Sequence, residues 1–436
     1  MELIDKILSV SNLTQSSKEV IRNKGAGGVD GMSVKELGSY LSKNRVELIN
    51  QIRSHTYIPQ PIRGKEIPKG NGKFRTLGIP TVVDRTLQQA VMRVIMPQYE
   101  YMFSNYSYGF RPKRNTHQAI GKSLEYINSG YQNIVEIDLK GFFDEVNHVV
   151  LLQLLYRKIK CKATMTLLRR WLRAPIEQNG ILVKRRKGVP QGSPISPLLS
   201  NIILHELDEF MEKQGMKFVR YADDFSIYCK TKAQAKFQGN VVYKFLRDKL
   251  KLPINREKSG IRRPVTFQIL GYGFVSTYRK GDKGKYQLVV TEKRWKALKM
   301  KLKEITRKTS PMSFDERIAK LNQVIRGWVN YFKHASIKQK LADIDSWLRN
   351  RLRYCIWTDW KKPDRKRKNL IRLGVPYGQA YAWSRTRMGG WAVAQSPILI
   401  TTITLERLRK RGYISMLSLY QEISSNHYKN SLFPMF

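Results

Sequence analysis

Two adjacent aspartates, Asp223 and Asp224, lie in the middle of an apolar and aromatic stretch, residues 218–228. The pattern predicts a strand, a tight turn at Ala222-Asp223 and a second strand. Adjacent carboxylates repel each other, and hard oxygen ligands of this kind suit Mg²⁺. An ordinary solvated turn explains the same residues, because Asp is a frequent turn residue.

A third carboxylate, Asp138, lies near the end of the apolar stretch 133–139, which predicts another strand. A carboxylate there is costly to bury unless it is paired or bound to a metal. If the strands are adjacent, Asp138 meets Asp223 and Asp224. Such a cluster can hold two Mg²⁺ ions about 3.5–4 Å apart, the arrangement used for in-line displacement at phosphorus. One ion would activate a primer 3′-hydroxyl, and the other would neutralise a triphosphate.

The charge of the chain points to a polyanionic partner. Its 436 residues include 80 Lys and Arg against 34 Asp and Glu, a formal net charge of +46. Nucleic acid is the leading candidate and an anionic membrane is the rival. No apolar run is long enough to span a bilayer, and no secretory signal is visible. Three isolated cysteines argue against a zinc knuckle and fit a reducing cytoplasm.

A basic β-hairpin is predicted over residues 62–80, where it would form a positively charged finger that reaches for phosphates. With a three-residue loop at 70–72, Lys69 faces Lys73 and Arg75 points to the same side. A two-residue turn would move Arg75 to the other face. A solvated hairpin with lysines at its edge is the alternative.

Three loops carry unusual composition. Residues 25–31 are dense in glycine and predict a flexible loop that touches a nucleic-acid backbone. Residues 107–112 interleave aromatic and basic side chains, which suits either stacking on bases or a packed turn. In the stretch 188–197, two glycines and three prolines fix the backbone path. There Ser196 and Pro197 are predicted as the N-cap and first turn of a helix.

The last third of the chain is predicted to be helical, basic and rich in aromatic residues. Ser313 and Glu316 are predicted to form a capping box at the start of one of these helices. Residues 361–368 are predicted as a basic linker, and the chain from about Ser424 as a tail.

These motifs together resemble a bacterial group II intron reverse transcriptase/maturase of the form that lacks an endonuclease domain. They follow the family order over roughly residues 20–360. Ser193 stands where many relatives have glycine, a small departure. The matching residues include Ile67-Pro68-Lys69, Ser107-Tyr108-Gly109-Phe110-Arg111-Pro112, Asp138, Phe142-Phe143-Asp144, Asn147-His148, Pro190-Gln191-Gly192-Ser193, Tyr221-Ala222-Asp223-Asp224, Lys258-Ser259 and Arg326-Gly327-Trp328.

The resemblance implies an α+β fold, a right-hand polymerase with fingers and a ferredoxin-like palm, followed by an α-helical thumb and a small basic C-terminal domain. The implied divisions are an N-terminal extension with fingers, a fingers/palm core, a three-helix thumb (the maturase X region) and a DNA-binding region with a tail. Their residues are 1–85, 86–290, 291–360 and 361–436.

It also implies an RNA-directed DNA polymerase that copies intron RNA into cDNA and binds that RNA to assist splicing and mobility. The expected cofactor is a pair of Mg²⁺ ions, for which Mn²⁺ can substitute. The expected partners are intron RNA, primer or target DNA and deoxynucleotides, in the bacterial cytoplasm and without a membrane. A domesticated reverse transcriptase of phage defence or CRISPR adaptation, and a maturase without polymerase activity, are the alternatives.

Site residues follow from the same resemblance. Asp138, Asp223 and Asp224 would be catalytic metal ligands, with Leu139 as a further metal contact. Phe143 would block a ribose 2′-hydroxyl, and Lys258 would donate a proton to pyrophosphate. The other nucleotide-binding residues would be Lys69, Arg75 and Gln191. Nucleic acid would be contacted by Gly25, Arg63, Arg111, Arg294, Lys299, Arg365 and Arg367.

Overall fold

The computed structural model describes residues 2–70, 72–278 and 284–432. The chain divides into two compact units, Met1–Pro264 and Val265–Phe436. In the described residues, no helix has an apolar stretch long enough to cross a bilayer.

The first unit combines helices with two four-stranded sheets. Its helices are α1 (Leu3–Leu8), α2 (Val10–Arg22), α3 (Leu37–Arg53), α4 (Val82–Glu100), α5 (Thr116–Asn128), α6 (Phe142–Glu145), α7 (His148–Lys158), α8 (Lys162–Arg173), α9 (Ser196–Lys213) and α10 (Lys232–Phe245). Its strands are β1 (Ile62–Gly70), β2 (Lys73–Ile79), β3 (Asn133–Ile137), β4 (Ile176–Gln178), β5 (Ile181–Val183), β6 (Lys217–Tyr221), β7 (Asp224–Cys229) and β8 (Gly260–Arg262).

One sheet has the order β6-β7-β3-β8, with every neighbouring pair antiparallel. Along the chain its elements alternate as β3-α9-β6-β7-α10-β8. Successive residues of β7 point to opposite faces. Tyr228 donates a hydrogen bond to Ser123 on α5 at 2.7 Å, while Cys229 contacts Gln238 on α10 at 3.1 Å. Helices therefore cover both faces of this sheet, which explains why β7 is apolar along its length.

The other sheet has the order β2-β1-β4-β5 and is mixed, because β1 runs antiparallel to β2 and parallel to β4. Gly70 pairs with Lys73, and the register shifts between Pro68 and Gly70. Of the two alternatives considered for this hairpin, the three-residue loop at 70–72 is therefore not formed: a bulge absorbs one residue, and pairing continues to Gly70 and Lys73. Asn71 and the side chains of Lys69 and Lys73 lie outside the described residues, so which face they share stays a prediction.

The second unit begins with a three-stranded antiparallel sheet of order β11-β10-β9 and continues as helices. Its strands are β9 (Gln268–Ile269), β10 (Tyr272–Ser276) and β11 (Tyr286–Val290). Its helices are α11 (Glu292–Ile305), α12 (Phe314–Phe332), α13 (Lys338–Asp359), α14 (Pro363–Arg372), α15 (Tyr377–Ser384), α16 (Gly390–Ala394), α17 (Pro397–Ile400), α18 (Leu405–Lys410) and α19 (Met416–Leu432).

Two expectations about this unit are wrong and one is confirmed. The predicted basic linker, residues 361–368, lies largely in α14. Pro363 does not prevent this helix, because the first turn of a helix has no intrahelical acceptor for a backbone N–H and proline therefore loses nothing there. The predicted tail is helical as far as Leu432. The capping box of Ser313 and Glu316 is present at the start of α12.

The buried Asp345 fastens α19 to α13. Its carboxylate is 1% exposed and accepts hydrogen bonds from the hydroxyls of Tyr413 at 2.9 Å and Ser415 at 2.6 Å. It also accepts the backbone N–H groups of Met416 and Leu417, both at 2.9 Å. A single buried charge thus satisfies two free N–H groups at the start of α19.

Replacing Asp345 by Ala should lower the free energy of unfolding by about 2–4 kcal/mol, because four donors lose a charged acceptor. The measurement is chemical denaturation followed by circular dichroism. Asp343→Ala is the matched control, since Asp343 lies exposed on the same helix and accepts only a 3.3 Å hydrogen bond from Gln339. Equal losses in both variants would contradict the assignment.

Candidate active site

Strand register brings the three predicted aspartates to one end of the β6-β7-β3-β8 sheet. Ile137 is paired with Phe225 across β3 and β7, so the next residues outward are Asp138 and Asp224. Tyr221 pairs with Asp224, which leaves Ala222 and Asp223 as a two-residue turn. The predicted hairpin is confirmed.

The turn has a strained backbone that a neighbouring segment supports. Ala222 has a φ of +58°, in the left-handed region that alanine seldom adopts. Residues 107–112 run beside it, and a Cβ added to Gly109 would lie 2.2 Å from the nitrogen of Ala222. Only glycine permits this approach. The N–H of Tyr108 also donates to the carbonyl of Arg220 at 2.9 Å.

Beneath the turn lies a fully buried ion pair between Arg220 on β6 and Asp208 on α9. The pair is bidentate: Nε donates to Oδ1 at 2.7 Å and Nη2 to Oδ2 at 2.5 Å. The remaining guanidinium nitrogen, Nη1, donates to Asn201 Oδ1 at 3.0 Å and to the carbonyl of Ala222 at 2.9 Å. Asn201 in turn donates to the carbonyl of Gly109 at 2.9 Å. The network therefore fixes both the turn and the segment that supports it.

Sequence reasoning missed Arg220, Asp208 and Asn201. A signal was present: Arg220 is the one charged residue between Phe218 and Tyr221 in an apolar strand. Asp208 lies four residues after the buried Leu204 on α9. A charge on a buried face requires a partner of the opposite charge.

The three carboxylates influence one another. Asp224 remains exposed, but partial desolvation, followed by the charges of Asp223 and Asp138, raises the pKa of its carboxyl group to about 6. Lys258 supplies an opposing charge, with its Nζ 3.8 Å from Asp138 Oδ2. Ser259 accepts the backbone N–H of Asp138 at 3.0 Å, which ties the end of β3 to the segment that carries Lys258.

The donor set fits a divalent cation by its chemistry. Three carboxylates converge at one sheet end, and the raised pKa of Asp224 reflects a repulsion that a cation would relieve. In the described parts of the chain, no three acidic, histidine or cysteine side chains are grouped closely enough to form a finished metal cluster. Leu139 is buried beside Asp138 and forms an isolated bridge with Ile254.

Phe143 lies in the short helix α6, and Gln191 lies in the loop before α9 that is hydrogen-bonded to this helix. The half-buried ring of Phe143 packs edge-on against Phe142 at 5.4 Å, and its carbonyl accepts the N–H of Val189 at 2.7 Å. The carbonyl of Gln191 accepts the N–H of Gly78 on β2 at 2.7 Å.

The predicted N-cap role of Ser196 is wrong. Ser196 is itself the first helical residue of α9, and its hydroxyl donates to the carbonyl of Pro190 at 2.7 Å instead of capping the helix. The hydrogen bond closes the 190–196 loop on itself.

The glycine-rich loop at residues 25–31 is held in place rather than free, which corrects the prediction of a flexible loop. Arg85 donates to the carbonyl of Ala26 at 2.6 Å, and a Cβ added to Gly28 would lie 2.6 Å from the Cα of Thr81. Gly25 lies against Arg85, where a Cβ would be 2.4 Å from Nη1. Glycine is needed for this close packing.

Arg111 was predicted to contact nucleic acid, and the structure contradicts this. Its guanidinium is buried and pairs with Glu100 at 2.9 Å. It also donates to the carbonyls of Ser104 and of Ser107, the latter at 2.8 Å. With these donors occupied, Arg111 holds a packed turn, the alternative considered for residues 107–112.

Most of the remaining predicted nucleic-acid contacts are on the surface. Arg63 is exposed on the mixed sheet of the first unit, as is Arg75, which was predicted to bind the nucleotide. In the second unit Arg294, Lys299 and Arg365 are exposed. The Lys299 ammonium lies 5.3 Å from the Trp347 ring centre. Arg367 is less available, because it pairs with Asp364 at 3.3 Å and is partly buried.

Two family models match the chain. One is described as reverse transcriptase (RNA-dependent DNA polymerase) and covers residues 67–274; the other is described as group II intron, maturase-specific domain, and covers residues 295–374. Protein YkfC of Escherichia coli (strain K12) is 34% identical over 289 residues, which are 57% of this chain and 76% of YkfC.

The group II intron-encoded protein LtrA of Lactococcus lactis subsp. cremoris is 39% identical over 199 residues. These cover 45% of this chain and 33% of LtrA, so the match spans only a third of that relative. A solved partial Cas6-RT-Cas1–Cas2 complex is 27% identical, covers 58% of this chain and 43% of its own, and has a TM-score of 0.37.

The chain belongs to the group II intron reverse transcriptase/maturase family, within the RNA-dependent DNA polymerases. Members of this polymerase family typically use divalent metal ions.

Replacing Arg220 by Met should lower the free energy of unfolding by about 3–5 kcal/mol, because Asp208 is left as an unpaired buried charge. Denaturant unfolding measures the loss. Arg247→Met is the control: its ion pair with Asp248 is exposed, and exposed pairs contribute little to stability. In the double variant Arg220→Met, Asp208→Leu, much of the loss should be recovered. A small loss for Arg220→Met alone would contradict the role of the pair.

Proposed function

We propose that the chain is an RNA-directed DNA polymerase that copies intron RNA into cDNA and binds that RNA to assist splicing and mobility. The observation that carries the proposal is the β3–β7 register, which brings Asp138, Asp223 and Asp224 to one sheet end inside the region matched by the reverse transcriptase model. The charges of Asp223 and Asp138 repel that of Asp224, and a bound cation would relieve this repulsion.

In this proposal Asp138, Asp223 and Asp224 hold two Mg²⁺ ions, with Mn²⁺ as a substitute and Leu139 as a further contact. When bound, the ions activate a primer 3′-hydroxyl and neutralise the triphosphate. Lys258 is 67% exposed and near Asp138, a position from which its ammonium can donate a proton to the leaving pyrophosphate.

Nucleotide binding is assigned to the segments around the end of the β6-β7-β3-β8 sheet that carries the three aspartates. Lys69 and Arg75 belong to the β1–β2 hairpin and are proposed to contact the triphosphate and base. Gln191 is proposed to line the nucleotide pocket, and its carbonyl accepts a hydrogen bond from Gly78 of the hairpin. The aromatic ring of Phe143 is proposed to occupy the space that a ribose 2′-hydroxyl would need, which selects deoxynucleotides.

The architecture supports a right-hand polymerase. The β-α-β-β-α-β order of the β6-β7-β3-β8 sheet is that of a ferredoxin-like palm. The mixed sheet would belong to the fingers, and residues 291–360 to the thumb. The boundary between the compact units, after Pro264, places β9–β11 with the helical unit, whereas the predicted core extends to residue 290.

Intron RNA and target DNA are the proposed partners of the basic surface, in the bacterial cytoplasm and without a membrane. The second unit carries the maturase-specific match. Lys299 is exposed beside Trp347, with its ammonium 5.3 Å from the ring centre. Cations beside aromatic rings suit both the phosphates and the bases of RNA. Gly25, Arg63, Arg294, Arg365 and Arg367 remain proposed contacts.

Primer extension on an RNA template tests the proposal. Wild-type protein with Mg²⁺ and deoxynucleotides should extend the primer, and Asp223→Asn should lower the rate by at least about 100-fold, because a charge that stabilises the reaction is lost. Asp248→Asn removes an exposed acid of the same unit and should have no effect.

Two other results would redirect the proposal. If the wild type binds intron RNA tightly and extends no primer, the chain is a maturase without polymerase activity. If extension occurs but the flanking DNA encodes no intron catalytic core, a domesticated reverse transcriptase is the better account.

Phe143→Val should increase the use of ribonucleotides relative to deoxynucleotides, because the smaller side chain leaves room for a 2′-hydroxyl. Single-turnover incorporation of dATP and ATP measures the ratio. Phe142→Leu is a contrasting variant, since Phe142 is buried in the core beneath Phe143. An unchanged ratio in Phe143→Val would refute this role for Phe143.

A further inference from the structure

The backbone at residues 185–189, here called the strap, lies directly against the segment that carries Phe143. The N–H of Gly188 donates to the carbonyl of Val146, and the N–H of Val189 donates to the carbonyl of Phe143, both at 2.7 Å. Two successive peptide groups of the strap thus bind Phe143 within the short helix α6 and Val146 directly after it.

Lys187 of the strap forms an ion pair with Glu145 of α6 at 2.6 Å, but at Gly188 the two segments meet through their backbones. Gly188 has a φ of +85°, and a Cβ there would lie 2.8 Å from the carbonyl oxygen of Asp144 and 2.9 Å from that of Phe143. No side chain fits between the two segments. Any movement of Gly188 is therefore passed directly to the backbone of Phe143.

The side chains of His148 and Arg185 both hydrogen-bond to the carbonyl of Gly188. His148 Nε2 lies 2.7 Å from the Gly188 carbonyl, and Arg185 Nη2 donates to the same oxygen at 2.6 Å. A carbonyl can only accept, so Nε2 of His148 carries the proton. The two donors use both lone pairs of this oxygen. His148 is buried and Arg185 is partly buried, which limits the access of water to both hydrogen bonds.

We propose that His148 and Arg185 are positioning residues for sugar selection, acting through the Gly188 carbonyl and the strap to hold Phe143 at the height where it excludes a 2′-hydroxyl. The proposal rests on the polymerase function and on the role of Phe143 given above. Neither side chain is proposed to touch the nucleotide.

The position of the Phe143 ring matters because the proposed sugar selection is a steric effect. A steric filter discriminates over less than the size of one oxygen atom, and an error of about 1 Å at a reacting centre has large effects on rate. The Phe143 ring is half-buried, packs against the hydrophobic core and meets the ring of Phe142 edge-on. Its height also depends on its backbone, and the strap is bonded to that backbone.

The test compares dATP with ATP in single-turnover incorporation on an RNA template, using full-length protein. His148→Phe keeps the ring volume and removes the donor; Arg185→Met keeps the stem and removes the guanidinium. Each should lower the preference for dATP by about five- to ten-fold, the effect expected of one lost hydrogen bond, with dATP incorporation changed less than ATP incorporation. His148→Gln, which retains a donor, should restore part of the preference.

Arg186→Met is the matched control, because Arg186 is the next residue and is exposed. The preference of the Arg186→Met variant for dATP should equal that of the wild type. In a Phe143→Ala background, His148→Phe should cause no further loss of preference, since the ring that the strap positions is gone. Arg185→Lys provides a milder variant if Arg185→Met does not fold.

Equal losses of dATP and ATP incorporation, with an unchanged ratio, would show a merely structural role and overturn the proposal. Additive losses in the Phe143→Ala background would also overturn it. Absence of dATP incorporation by the wild type would instead refute the polymerase function, which distinguishes the two failures.

Discussion

The guanidinium of Arg220 is a full positive charge in a position that water does not reach. Burying it costs several kcal/mol unless its donors are matched, and here Asp208 takes it in a bidentate pair while Asn201 and the Ala222 carbonyl take the remaining nitrogen. The geometry of such a pair is narrow. Because Arg220 is two residues before Ala222 on the same hairpin, the pair determines where the turn stands and hence where Asp223 points.

The site that this turn completes is itself unfavourable for folding. The pKa of Asp224 is raised from its ordinary 3.8 to about 6, so the folded chain binds this proton more tightly than the unfolded chain does. Between those values the contribution of Asp224 to stability falls as pH rises, and at neutral pH the repulsion is fully present. A rigid hairpin held by a buried ion pair offsets that cost, and cation binding would lower it further.

Features that depend on the local sequence pattern were predicted correctly, whereas the roles of side chains that depend on long-range packing were not. Alternation and the Ala222-Asp223 turn gave the hairpin, and Ser313 with Glu316 gave a helix start, because strands, turns and capping boxes are encoded by near neighbours. Arg111 was misassigned because a short basic turn has the same sequence pattern whether the arginine binds RNA or pairs with a buried acid such as Glu100. Ser196 failed as an N-cap because its hydroxyl is used by Pro190, a contact that no pattern near the helix start reveals.

The pairing of strands that are distant in the chain could not be predicted from the sequence, and this pairing decides whether the three aspartates lie together. Asp138 and Asp224 are far apart in the chain, and only the register of β3 with β7 shows that they end side by side. The strap shows the same limit: the sequence marks Gly188 as a loop residue, but the need for glycine comes from the carbonyls of Phe143 and Asp144. Motif recognition supplied the functional labels, and the structure shows which backbone contacts hold those residues.

The most direct test of the account is a Mn²⁺ titration followed by electron paramagnetic resonance, on the wild-type protein and on Asp138→Asn. If the register of β3 and β7 builds one metal site from both strands, the wild type should bind Mn²⁺ and Asp138→Asn should lose most of that binding, although Asp223 and Asp224 remain. Equal Mn²⁺ binding by the two proteins would contradict a site shared between the strands.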